Sequence, residues 1–137
     1  MKERRAAYLA YVSVIEAIGA LVVLFCLYRV VAERVSYQWL VLAYLTVLSG
    51  SFTISVPRVN AKFSVSDSLV FLNAMLFGAA AGALTAGLDG LLSSLQFETA
   101  SRRKRATPFN TAVMAASGFA AGKVFFGLAG QGPLGEG

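Results

Sequence analysis

Histidine is absent from the 137-residue chain, and cysteine occurs once, at Cys26. Histidine-based catalysis and histidine-ligated metal sites are therefore excluded, and a single cysteine cannot form an internal disulfide. The sequence also lacks a P-loop, a CxxC pair and an HExxH motif. It contains no recognisable nucleophile–base pair and no pair of carboxylates suited to a water-filled cleft. We predict that the chain is not an enzyme and has no catalytic residue, cofactor or metal site.

Charge is also scarce. Charged residues make up 14% of the chain and hydrophobic residues 57%, with a mean hydropathy of +0.67. A soluble domain has about 25% charged and about 45–50% apolar residues. The net charge is +5, but the basic residues form short clusters between apolar runs instead of one stripe, so nucleic acid is not an expected partner. The composition predicts an all-α integral membrane bundle.

Apolar segments predict five transmembrane helices within a single domain that covers residues 1–137. The first segment is much longer than the hydrophobic region of a signal peptide, about 7–15 residues, so it is interpreted as a retained span. Pro108 is expected at the N-terminus of the last helix, a position that proline favours. The predicted spans are 6–28, 37–54, 66–77, 79–97 and 108–128.

The apolar stretch from Ser64 to Gln96 is too long for one comfortable crossing, and charge counting indicates two short helices hinged near Gly78. With two helices, nine basic residues face one side of the membrane and only Arg29 and Arg34 face the other. Positive residues concentrate on the cytoplasmic side, so this split places the N-terminus in the cytoplasm. The nine residues are Lys2, Arg4, Arg5, Arg58, Lys62, Arg102, Arg103, Lys104 and Arg105.

Small residues at Gly78, Gly82 and Ala86 recur every four positions, a spacing that lets neighbouring helices approach closely. The four consecutive basic residues from Arg102 to Arg105 are interpreted as a loop that sets the topology and attracts anionic lipids. Lipids are thus the main expected partners. A small-molecule ligand and a second copy of the chain are further candidates.

Six polar side chains fall within or near the apolar runs, and charges at bilayer depth normally face the bundle interior and pair. Lys123 is predicted to pair with Asp89 or, alternatively, with Glu16. Asp67 is either a first-turn acid of its helix or a cavity residue. Asn73 and Asn110 are more often hydrogen-bonding groups between helices than ligand contacts. The candidate ligand-binding residues are Asp67, Asn73, Asp89 and Asn110.

The order of these features, over roughly residues 37–128, resembles the multi-spanning N-terminal sensor region of bacterial signalling proteins with GGDEF or HD-GYP output domains. The resemblance is carried by a serine- and proline-containing loop that leads into an apolar helix, and by a Phe-Asn pair at the start of a later helix. The matching residues are Ser55, Pro57, Ser64, Ser66, Phe71, Phe109 and Asn110.

This resemblance implies a sensor and anchoring input module of a cyclic-dinucleotide signalling protein in the bacterial inner membrane. The output domain, a diguanylate cyclase or an HD-type phosphodiesterase, is not part of the sequence. Five spans would leave the C-terminus outside. We therefore expect the chain to be a fragment of a longer protein that continues past Gly137 and crosses the membrane again.

The run from Ser64 to Ser94 is also similar to the substrate-binding membrane components of energy-coupling-factor vitamin transporters. In those proteins an apolar helix ends in an LFG turn and a Gly/Ala-rich helix that carries an acid follows. The resemblance implies a binding pocket lined by Asp67, Asn73 and Asp89. A substrate-binding importer subunit is therefore the alternative function, and an orphan membrane protein with a structural role is the third.

Overall fold

The computed structural model describes residues 1–50, 52–55, 57–58, 62–97 and 99–134. Within these ranges the chain is helical apart from one short hairpin, which confirms the predicted all-helical class in its main feature. The elements are α1 (Lys2–Ala32), α2 (Gln38–Ser49), β1 (Thr53–Ser55), β2 (Lys62–Ser64), α3 (Val65–Phe77), α4 (Ala79–Phe97) and α5 (Ala100–Ala129).

The second apolar segment differs from its prediction. Helical structure was expected to residue 54, but α2 ends at Ser49 and Thr53–Ser55 pairs antiparallel with Lys62–Ser64. Pro57 and Arg58 lie in the turn of the hairpin, and Arg58 has a φ of 80°. Hydropathy does not distinguish a helix from a short apolar strand, whereas the β-branched Thr53 and Ile54 favour the strand.

The break at Gly78 is present as the charge pattern predicts. Gly78 has a φ of 99°, a conformation that only glycine adopts readily, and its N–H donates to the Ala74 carbonyl at 2.9 Å. The helices on either side, α3 and α4, run antiparallel. They pack so closely that a methyl group built on Gly82 would overlap Ala74. The small-residue spacing therefore does permit close approach of the two helices.

The last helix begins earlier than predicted. Pro108 was expected at its N-terminus, but α5 begins at Ala100 and Pro108 lies inside it. The basic run Arg102–Arg105 is therefore helical and is not a loop. Proline removes one backbone donor, to the carbonyl four residues earlier, whereas alanine, arginine and lysine favour helix along the rest of this segment.

Helices α4 and α5 form an antiparallel seam of small residues. A methyl group built on Gly122 would lie 2.7 Å from Ala79 Cβ, and one on Gly118 would lie 3.1 Å from Ala86 Cβ. Farther along the seam, Gly90 faces Met114. Glycine and alanine thus line both helices for most of their shared length.

Helix α1 runs parallel to α5. Gly19 packs against Ala112, and the Phe25 and Phe119 rings meet edge to face at 5.8 Å between centroids. The N-termini of α1 and α5 consequently lie at one end of the bundle. The hairpin lies at this end too, because α3 begins there and runs antiparallel to α4. Gly78 and the C-terminus of α1 lie at the opposite end.

Apolar side chains are distributed opposite to the pattern of a soluble bundle. The interior holds small or polar residues such as Ala81, Thr46 and Ser94, each at most 2% exposed, whereas Leu21 and Leu128 are 68% and 85% exposed. By length and composition, α1 and the Lys104–Ala129 part of α5 could each cross a membrane. Helices α2 and α3 have 12 and 13 residues, below the roughly 20 residues of a full crossing.

Candidate functional site

Asp89 lies in a polar cluster where α2 ends and α3 begins. It is only 7% exposed, and Ser66 lies within hydrogen-bonding reach of its carboxylate. A methyl group built on Gly50 at the end of α2 would lie 3.3 Å from Asp89 Oδ1. Ser64 caps α3 by accepting a hydrogen bond from the Ser66 N–H at 3.3 Å. The acid on α4 is therefore next to the positive end of the α3 dipole, which favours a negative charge.

Asp67 occupies the first turn of α3 and its side chain is exposed. This position fits the first-turn interpretation, since acids near a helix N-terminus are stabilising. Asp67 also lines a small cavity of about 160 Å³ between α3 and α5, with an otherwise apolar wall that includes Ala74 and Phe125. It lies at nearly the same level of the bundle as Asp89.

Asn73 links three helices in the middle of the bundle. The residue is fully buried, and its Nδ2 donates to Thr85 Oγ1 on α4 at 2.5 Å and to the Trp39 carbonyl on α2 at 3.5 Å. Thr85 in turn donates to the Ala81 carbonyl at 2.8 Å. Among the described residues, Asn73 Oδ1 has no hydrogen-bond partner. The side chain acts as a polar bridge between helices, one of the two roles expected for it.

Asn110 makes a second bridge, from α5 to α4. Its Nδ2 donates to Ser94 Oγ at 2.8 Å, and Ser94 is 2% exposed. Among the cavities lined by described residues, none brings the four candidate ligand residues together. Asn73 and Asp89 are packed between helices, Asp67 faces the small cavity, and Asn110 borders a different groove.

The structure does not bring Lys123 to either predicted acid. Lys123 is exposed, and its ammonium lies 5.6 Å from the centre of the Phe119 ring, within the range of a cation–π contact. It is at the Gly78 end because Gly122 packs on Ala79. Asp89 is ten residues farther along α4, about 15 Å at the helical rise. Within the described part of the chain, Arg29–Glu33 is the only ion pair.

Glu16 faces a groove between α1 and the first turns of α5, and this groove was not anticipated from the sequence. It has a volume of about 830 Å³ and also contains Arg102, Lys104 and Arg105. Three of the four residues interpreted as a topology anchor thus share a groove with Glu16, the acid predicted as the alternative partner of Lys123. The charged residues of the groove are visible in the sequence. Their common location is not, because it depends on the parallel packing of α1 on α5.

A second cavity, of about 280 Å³, lies at the Gly78 end. Arg29, Glu33 and Lys123 line it together with Phe77 and Phe119. Its described residues include two cations, one acid and an aromatic wall. No sequence motif predicts it, because its residues come from the end of α1 and the loop after it, from the turn between α3 and α4, and from α5 and the segment that follows it.

Comparison of the chain with protein-family models, with curated proteins and with solved structures finds no match. The fold itself defines a five-helix assembly of the described residues with an interrupted central pair, a small-residue seam and one strongly basic end.

Proposed function

We propose that the chain is a multi-pass helical module of the bacterial cytoplasmic membrane and serves as the sensor and anchoring input region of a signalling protein. The observation that carries the membrane location is the distribution of apolar side chains. Large residues such as Leu21, Leu24 and Leu128 are exposed, while most of the buried residues are alanine, serine, threonine or asparagine. In water this surface would aggregate, whereas in lipid it is solvated.

The distribution of charge supports a cytoplasmic N-terminus. All nine basic residues of the first turn of α1, the hairpin and the start of α5 belong to elements at one end of the bundle. Arg29, Arg34 and Lys123 belong to the other end. An excess of arginine and lysine marks the cytoplasmic side of a membrane protein.

An input role, without catalysis of its own, is supported by the character of the buried polar groups. Asn73 and Asn110 join helices, and Asp89 adjoins the start of α3. These contacts couple α2, α3, α4 and α5. A signal that shifts the hinged pair α3 and α4 would therefore also displace α5. An input module requires coupling of this kind.

Membrane fractionation and cysteine labelling test location and topology together. In a Cys26→Ala background, a membrane-impermeant maleimide should label Ser36→Cys on intact cells and Ser101→Cys only after permeabilisation. Both serines are exposed, so accessibility to solvent within the protein is matched. Release of the protein by alkaline carbonate, or labelling of Ser101→Cys from outside, would contradict the proposal.

The importer subunit is retained as a second candidate because of the short helices α2 and α3. Each spans less than about 20 Å, and the polar connection between them lies beside the buried Asp89. Interrupted helices of this kind surround substrate sites in transporters. The coding sequence downstream of Gly137 discriminates between the two functions: a GGDEF or HD motif supports the sensor, and a single further span without one supports the importer.

A further inference from the structure

The groove between α1 and α5 combines three cations with an apolar wall. Arg102, Lys104 and Arg105, here called the groove cations, line it from α5. Among the described residues that line the groove, Glu16 is the only acid. None of the groove cations has a salt bridge within the described ranges, and all three side chains are exposed. The groove therefore has a surplus of positive charge to offer to a ligand.

Arginine and lysine together suit a phosphate group. The arginine guanidinium donates two parallel hydrogen bonds to phosphate oxygens, and lysine adds a compact charge. An isolated carboxylate would leave much of this donor capacity unused. The charge of the groove thus favours a phosphate-bearing anion.

The other residues that line the groove indicate which phosphate-bearing ligand fits it, a lipid or free phosphate. Leu9, Val12 and Phe109 form an apolar wall beside the cations, and Tyr8 lies near the basic end. Inorganic phosphate would contact only the charged part, whereas a phospholipid would place its headgroup on the cations and its acyl chains along the apolar residues. The volume of about 830 Å³ accommodates a headgroup together with the start of its chains. Basic clefts between membrane helices on the cytoplasmic side bind anionic headgroups in this manner.

We propose that this groove is a binding site for an anionic phospholipid, with the phosphate held by the groove cations. The proposal rests on the membrane location proposed above. A basic segment is attracted to any negative surface, whereas the proposed site is one particular groove with a cationic wall and an apolar wall. Cations of the same number elsewhere at this end of the bundle should therefore not substitute for it.

The first turn of α1 provides a matched control. Lys2, Arg4 and Arg5, here called the terminal cations, have the same total charge and lie at the same end, but do not line the groove. Two triple variants are compared, each with three cations replaced by glutamine. The probes are dioleoylphosphatidylglycerol and dioleoylphosphatidylcholine, and bound lipid is measured by native mass spectrometry of the full chain in mild detergent.

The wild type should retain phosphatidylglycerol in preference to phosphatidylcholine. Each basic residue near a lipid surface contributes about fivefold to binding. Replacement of the groove cations should therefore weaken phosphatidylglycerol binding by about a hundredfold. Replacement of the terminal cations should change it by less than about threefold, since they provide only long-range attraction.

Three results would overturn the inference: equal losses in the two triple variants, equal retention of both lipids by the wild type, or displacement of phosphatidylglycerol by millimolar inorganic phosphate. Helix content by circular dichroism and resistance to carbonate extraction are measured on each variant. A single Arg105→Gln variant repeats the test if the triple variant does not fold. A carbonate-resistant protein without lipid preference refutes the groove alone, whereas a protein released by carbonate refutes the proposed function.

Discussion

The seam between α4 and α5 makes a sharp prediction about two glycines of the same helix. A methyl group on Gly122 would lie 2.7 Å from Ala79 Cβ and 2.9 Å from Ala79 Cα, whereas one on Gly127 would have no neighbour within 4 Å among the described residues. Both glycines lie within α5. Both substitutions, Gly122→Ala and Gly127→Ala, add one methyl group to a glycine of α5. They differ only in the space around that methyl group.

The expected magnitudes follow from two opposing effects. Alanine in place of a helical glycine stabilises by about 0.5–1 kcal/mol, and this contribution is shared by both variants. Carbon atoms normally contact at about 3.5–4.0 Å, so the methyl group at position 122 forces the helices apart by about 1 Å. Overpacking of this kind costs about 1–3 kcal/mol. The free energy of unfolding should therefore be lower for Gly122→Ala than for Gly127→Ala by about 1–3 kcal/mol.

Unfolding is measured in mild detergent by circular dichroism, with sodium dodecyl sulfate as the denaturant. Gly118→Ala provides an intermediate case, because its methyl group would lie 3.1 Å from Ala86 Cβ. The expected order of stability is Gly127→Ala, then Gly118→Ala, then Gly122→Ala. If Gly122→Ala equals or exceeds Gly127→Ala in stability, the two helices are not in backbone contact at this level and the close seam is refuted.

Three further predictions concern the polar groups, and unfolding in detergent measures each of them. Lys123→Met and Asp89→Asn should be additive within about 0.5 kcal/mol, because the two residues are too far apart to interact. Asn73→Ala and Thr85→Val should instead couple by about 0.6 kcal/mol, a typical value for a hydrogen bond between membrane helices. Ser64→Ala should cost about 1 kcal/mol through loss of the N-terminal cap of α3.

Each of these predictions has a clear contrary result. Coupling above about 1 kcal/mol between Lys123 and Asp89 would restore the ion pair that the sequence suggested. Strict additivity of the Asn73 and Thr85 substitutions would mean that the amide does not bridge the helices. Ser68→Ala, at an exposed position of α3, is the control for the cap and should stay within about 0.5 kcal/mol of the wild type.

Some of the fold could be predicted because local chemistry decides it. The break at Gly78 lies where a glycine interrupts a long apolar run and adopts a φ of 99°, and the start of α3 follows from serine capping and an acid in the first turn. These features depend on a few neighbouring residues. They would have the same effect whichever helix packed next to them.

Other features were missed because they depend on the competition between tertiary and local preferences. Pro108 suggested a helix start, yet its single missing donor does not outweigh the helix-favouring residues before it. The end of α2 lay inside an apolar run, where hydropathy is the same for strand and helix. The relation of Lys123 to Asp89 required the register of α5 on α4, and no local pattern contains that register.

The groove was missed for a similar reason. Arg102 and Glu16 are 86 positions apart in the sequence, and only the parallel packing of α1 on α5 brings their helices together. The residues were recognised individually, as an anchor and as a buried acid. The groove that they share could not be recognised, because it forms only where α1 packs against α5.

The glycine and alanine seam has a thermal consequence. Burial of a leucine or methionine freezes rotatable bonds, whereas glycine and alanine have no side-chain rotamers to lose. Where glycine and alanine meet in the seam, association of α4 with α5 therefore has almost no side-chain entropy cost, and Met114 opposite Gly90 is the exception. Its temperature dependence is governed by dispersion and backbone contacts. On heating, α4 and α5 should stay together as one unit after contacts made by long side chains, such as Phe25 on Phe119, have loosened.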